Sequence, residues 1–221
     1  MKTVEDKFGS QSVESFLEKE DCDNTTALMI SVESGNVEIT KLLIEAGARI
    51  NTVNNVGFTP LHLAAAHGSS DVANILIKNG TEIDVVNYDG QTPLHVASAN
   101  GSTEMIRILV DHGANLEKSD KNGNTALLLA AKTGQTDTLK EIIKHGGEVD
   151  VIDKDDHSPL YFTVERNHLK CLKTLLKSSK SNILLCRNDR WDNTPLHIAA
   201  AKGKNNDIDN SSSFNLIFRE P

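Results

Sequence analysis

Apolar residues along this chain fall in short bursts separated by polar stretches, and the bursts are of two kinds. In TPLHLAAAHG, residues 59–68, Leu61 and Leu63 lead into Ala64, Ala65 and Ala66 before Gly68. A little further on, Val72, Ile75 and Leu76 take the i, i+3, i+4 spacing that puts three side chains on one face of a helix. Both bursts predict short helices with defined ends. Thr59 offers its hydroxyl to the unbonded N–H groups of the first turn. Pro60 stands at the first helical position, where its missing donor and fixed φ cost least. The alanines keep this helix thin enough for close neighbours. Gly68 supplies the left-handed residue that stops it, and Gly80 ends the second helix. TEIDVVNYDG then turns the chain outward to Gly90, where the pattern restarts.

The restart is periodic. GFTPLHLAAAHG begins at 57, GQTPLHVASANG at 90, GNTALLLAAKTG at 123 and DHSPLYFTVERN at 156, with NTTALMISVESG in step at 24, so consecutive starts are 33 residues apart. WDNTPLHIAAAKG brings in a sixth copy whose start, Asp192, lies 36 residues after Asp156; the fifth unit therefore carries three extra residues, within KSSKSNILLCRND. This frame divides the chain into units 24–56, 57–89, 90–122, 123–155 and 156–191, a half unit 192–203 and an irregular tail 204–221. Residues 1–23 put Val13, Phe16 and Leu17 on one helical face ahead of Asp21, the counterpart of Asn54. That segment is either an N-terminal cap or the remnant of an earlier unit.

The pattern G-x-T-P-L-H-x-A-A, followed by L-I-K-N-G or L-V-D-H-G-A and repeated over residues 24–203, resembles the ankyrin repeat. The resemblance implies an all-α solenoid of stacked antiparallel helix pairs with projecting hairpin-like loops, and a concave face of first helices and loop tips. It also implies a non-catalytic scaffold for protein–protein interaction. His62, His95 and His197 recur at one position of the unit, which raises the question of a metal ladder. Packed helices lie about 8–10 Å apart and zinc needs nitrogens about 2 Å away, so successive rungs cannot share an ion. The resemblance instead gives this histidine one hydrogen bond across its loop and another to the adjacent unit. Met29, Leu128 and Tyr161 fill the same slot elsewhere.

Composition narrows the function. The chain has 23 Lys and Arg against 31 Asp and Glu, a net charge of −8 that disfavours nucleic acid and anionic membranes as partners. No apolar run approaches the roughly 20 residues of a membrane span, and MKTVEDKFGS lacks a signal-peptide core. Cys22, Cys171 and Cys186 are odd in number and widely spaced, which fits a reduced, cytoplasmic setting. Cys171 takes the place of Val72 in its unit and reads as core, whereas Cys186 beside the insertion reads as exposed. With no GxSxG, phosphate-binding glycine loop, HExxH or kinase motif, no enzyme activity, cofactor or metal is expected.

A scaffold binds through side chains that its fold leaves free. By register these are Phe58 at one tip, Tyr88 and Gln91 at the next, then Lys121 and Asn124, Lys154 and His157, and Arg190 and Trp191. Residues near the helix ends add His67, Asn100, Lys132 and Arg166. Phe58, Tyr88 and Trp191 lead, because interface hot spots favour large aromatics and Arg; the alternative is that each ring lies on its neighbouring loop and stabilises the stack. The expected partner is another protein, bound by a monomer.

Beyond AAAKG the run from Asn205 to Ser213 is polar and helix-poor, with Phe214, Leu216, Ile217 and Phe218 after it. Either these residues fold back as a cap or the normal continuation is missing. Residues 175–203, LLKSSKSNILLCRNDRWDNTPLHIAAAKG, are similar to a long-loop repeat in the cytoplasmic ankyrin domains of A-type transient receptor potential channels. The alternative function is therefore a truncated cytoplasmic domain of such a cation channel.

Overall fold

The computed structural model describes residues 15–178 and 188–205, with side chains described as far as residue 201. Val13, the insertion with Cys186, and the apolar residues of the tail lie outside the described residues. A helical turn at residues 15–17 leads into helix pairs. These are α1 (Ala27–Glu33) with α2 (Val37–Glu45), α3 (Pro60–His67) with α4 (Ser70–Lys78), and α5 (Pro93–Asn100) with α6 (Thr103–Asp111). Then follow α7 (Ala126–Thr133) with α8 (Thr136–Lys144), α9 (Pro159–Glu165) with α10 (Leu169–Leu176), and α11 (Pro195–Asn205). No strand occurs among the described residues, so the projecting loops are turns rather than hairpins.

The helix ends are where the chain pattern puts them. The hydroxyls of Thr26, Thr59, Thr125 and Ser158 each accept the N–H of the residue three further on, from extended cap backbones. Pro60, Pro93 and Pro159 open their helices, and Gly68 closes α3 at φ 67°. In α9 the cap falls one residue earlier, on Arg166, and the glycine's place is taken by Asn167, which keeps the left-handed turn at φ 58°. Beyond α11's expected end the helix continues through Gly203 to Asn205, two residues past the half unit drawn from sequence.

The two helix types bury themselves differently. Pro60 to Ala65 of α3 are all buried, because first helices are covered on both flanks by their counterparts: α1, α3, α5, α7, α9 and α11 pack in series. Second helices bury one face only, as Val72, Ala73 and Leu76 do in α4 and Met105, Ile106 and Leu109 in α6. Each buried Leu or Ile contributes about 1.5–3 kcal/mol, and the core runs unbroken from Leu28 to Ala199. Each pair rests mainly on its sequence neighbours, the signature of a quasi-one-dimensional stack. A charged exception to apolar packing, beside the buried Thr40 and Thr138, is Glu141, buried at the position of Ile108. Arg107 (3.2 Å), Lys144 (3.1 Å) and His145 (3.1 Å) surround its carboxylate and hold its pKa down to about 2. At the other end, Ile30 and Ile39 are 52% and 48% exposed although their counterparts Leu63 and Val72 are buried, so residues 15–23 cover little of α1 and α2.

Candidate functional site

Each projecting loop is folded by one side chain at its base. Asn54 Oδ1 accepts the N–H of Val56 (3.1 Å) and of Phe58 (2.9 Å), while the Asn54 N–H donates to the Phe58 carbonyl (3.1 Å). Asp21, Asn87, Asp120, Asp153 and Asp189 make the same set of bonds in their own loops. These six residues are missing from the sequence-derived site, yet their signal was there: an Asp or Asn at every 33 residues, with one gap of 36. The tips are joined edge to edge. Backbone N–H groups of Asn55, Tyr88, Lys121 and Lys154 donate to carbonyls of Asp23, Val56, Asp89 and Asn122 in the preceding tip, at 2.9–3.3 Å.

This construction decides which predicted residues face outward. Phe58, Gln91, Asn124 and His157 share one register position, just before the cap of the following helix, and that position points inward. Phe58 is half-buried with its ring stacked on His62 at 5.3 Å. Gln91 accepts a bond from the Asn87 side chain (3.3 Å). His157 holds Asp153 (3.3 Å) and stacks on Tyr161 at 4.1 Å. Asn124 corrects the sequence expectation outright: it is buried, with its amide donating to both carboxylate oxygens of Asp120 (3.1 and 3.0 Å), and presents nothing to a partner.

Tyr88, Lys121, Lys154, Arg190 and Trp191 do stand exposed at the tips, and His67 is exposed at the end of α3. Tyr88 combines both of its expected roles, since its ring covers Gly57 of the preceding tip while 59% of the residue stays in solvent. Asn100 donates to the Ala66 carbonyl (3.0 Å) and Arg166 to the Lys132 carbonyl (3.2 Å), so both tie adjacent units together. Lys132 is half-buried, its Nζ 4.8 Å from the centre of the Phe162 ring.

The recurrent histidines are structural ties. The Thr59 N–H donates to Nδ1 of His62 (3.2 Å), which leaves the ring proton on Nε2 to donate to the Gln91 carbonyl of the next loop (2.9 Å). His95 repeats this with Thr92 (3.1 Å) and Asn124 (3.0 Å). Burial pushes the pKa of His62 down to about 4 and moves that of His95 the same way. His197 keeps the contact to Thr194 (2.9 Å) and is exposed. Two other groups of side chains, Asp21–Cys22–Asp23 and Asp153–Asp155–His157, have potential ligand atoms within 4.8 Å of one another. In each, the loop-base aspartate already accepts backbone N–H groups, which explains the cluster without an ion.

Aromatic side chains concentrate at the last junction. His157 lies 5.5 Å from Phe162 and 5.9 Å from Trp191, and Tyr161 meets Phe162 edge-on at 5.6 Å. Trp191 is 63% exposed. Arg190 sits over its ring at 5.7 Å while pairing with Asp155 (2.8 Å) and donating to the Lys154 carbonyl (2.8 Å).

Helix pairs in series, capped loops of constant form and histidine ties between neighbours define a repeat solenoid with one variable face. A family model for ankyrin repeats, three copies to a match, fits residues 1–87, 79–153 and 127–209. The chain belongs to the ankyrin-repeat family, whose members are generally protein-interaction modules and typically not enzymes. No curated protein matches it. No described helix is long and apolar enough to cross a membrane.

Proposed function

We propose that this chain is a non-catalytic scaffold that captures another protein on its loop-tip face, with Trp191 as the anchor. It acts as a monomer in a reduced, cytoplasmic setting. One observation carries it: the chain's only tryptophan is held largely in solvent by Arg190 and His157. A ring of that size left exposed forgoes the stabilisation of burial, and a preorganised Trp–Arg pair is what interface hot spots are made of. The surrounding Asp, Asn, His and Thr side chains fold the loops, and the tips remain for recognition. The test is Trp191→Ala, read as affinity for a captured partner beside far-UV circular dichroism. The expected outcome is a loss of more than about 1 kcal/mol in binding with helix content unchanged. Unchanged affinity removes Trp191 from the interface.

A further inference from the structure

Charge is unevenly spread over the loop-tip face. The position held by Asn55 and Tyr88 in the early tips is held by Lys121, Lys154 and Arg190 in the later ones. Lys132 adds a fourth cation, joined to Arg190 through a continuous run of contacts: Lys132 over Phe162, Phe162 against His157, His157 near Trp191, and Trp191 beneath Arg190. The carboxylates of this region are partly spent. Asp155 pairs with Arg190 (2.8 Å) and Glu165 with Arg166 (3.6 Å), while Asp89, Asp156 and Asp192 stand exposed on the same tips. Among the described residues, no carboxylate lies within ion-pair distance of Lys121, Lys132 or Lys154. A chain of net charge −8 thus keeps Lys121 and Lys154 in line with Arg190 along the tips that lead to its exposed tryptophan.

The spacing adds a second constraint. Neighbouring units in a helix stack are separated by about 8–10 Å. A polyproline II segment returns to the same side every third residue, at about 9 Å, whereas a β-strand returns at about 7 Å and falls out of step. Carboxylates three residues apart can therefore meet Lys121, Lys154 and Arg190 in turn. Arg190 still has N–H groups beyond those given to Asp155 and Lys154. An apolar residue at the end of the segment reaches the ring of Trp191.

We propose that the partner of this face is an extended acidic segment, with a carboxylate at every third residue and an apolar anchor seated against Trp191. This rests on the loop-tip face being the binding surface. The whole chain is titrated with the peptide EPPEPPEPPF and with its uncharged counterpart QPPQPPQPPF, and the emission of Trp191 reports binding. The glutamate peptide saturates the change at low salt, and the glutamine peptide binds about tenfold or more weakly. The double variant Lys121→Glu/Lys154→Glu loses a similar factor for the glutamate peptide while the fluorescence of the free protein is unaltered. Equal affinity for the two peptides overturns the proposal. So does tighter binding of KPPKPPKPPF or of an oligothymidine to the wild-type chain, in which case the loop-tip face survives with a different partner. If no probe of any charge perturbs Trp191 and Trp191→Ala leaves partner capture intact, the loop-tip reading falls with it.

Discussion

Lowering the pH from about 7.5 to 4.5 weakens the middle of the stack at His62, through a mechanism that one substitution isolates. The ring is wholly buried and works as the neutral form protonated on Nε2, with Nδ1 accepting the Thr59 N–H at 3.2 Å. A second proton is opposed first by burial, and it also sets an Nδ1–H against that same N–H. The folded ring therefore titrates at about 4, against 6.5 for a free histidine. Between those values the unfolded chain binds more protons, so the contribution is complete above pH 6.5 and is lost as pH falls towards 4. The gap corresponds to about 3 kcal/mol, of which about 2.5 kcal/mol is gone at pH 4.5. His62→Leu places in this slot the residue that Leu128 already supplies two units on, also fully buried. The variant leaves the Gln91 carbonyl and the Thr59 N–H without the ring, at a cost of about 1–2 kcal/mol at neutral pH. It takes up no proton there, so its stability meets or passes that of the wild type by about pH 4.5. Urea unfolding followed by circular dichroism at half-unit pH steps makes the comparison, and the difference between the two proteins cancels the carboxylates. Two curves that fall in parallel from pH 6.5 to 4.5 refute the mechanism.

Two further outcomes probe the stack. Gly123→Ala brings a Cβ to 2.8 Å from the Lys154 amide nitrogen at φ 82°, whereas Gly113→Ala at φ 89° meets nothing within 4 Å. Both carry the left-handed penalty of about 1 kcal/mol, and thermal unfolding should find Gly123→Ala worse by at least about another 1 kcal/mol; equal losses would show that the tip ladder contributes nothing. Cys171→Val puts in the slot the residue its counterpart Val72 already has, and burial pushes the Cys171 thiol pKa up. Stability should change by less than about 1.5 kcal/mol, and the number of thiols reacting with a disulfide reagent in the native protein should stay the same; one fewer would mean that Cys171 is accessible.

The fold was legible because its determinants are local and repeated. Thr59, Pro60 and Gly68 each act within one turn of helix, and five further copies of the pattern remove accident. The site was legible only in part, because side-chain direction at a loop depends on what the loop base does. Asn124 and Lys121 lie three residues apart in one polar loop, and nothing in their chemistry says that Asp120 draws the first inward and leaves the second in water. Likewise Asn100 and Arg166 look like free polar residues at helix ends until the neighbouring unit brings a carbonyl to them. The aromatic group at the last junction could not be assembled from spacing, since His157 and Trp191 come together across the insertion.

At that last junction the array changes its fastening. Elsewhere, tips are joined by backbone amides and, at two junctions, by histidine rings. Here, among the described residues, the tip is held by the Arg190 guanidinium on the Lys154 carbonyl, and the histidine slot is filled by Tyr161. A backbone bond is rigid and indifferent to what binds nearby. A long side chain can let go and be recruited elsewhere. A ligand that takes hold of the Arg190 guanidinium therefore competes with a bond between two units, while α11 stays packed on α9.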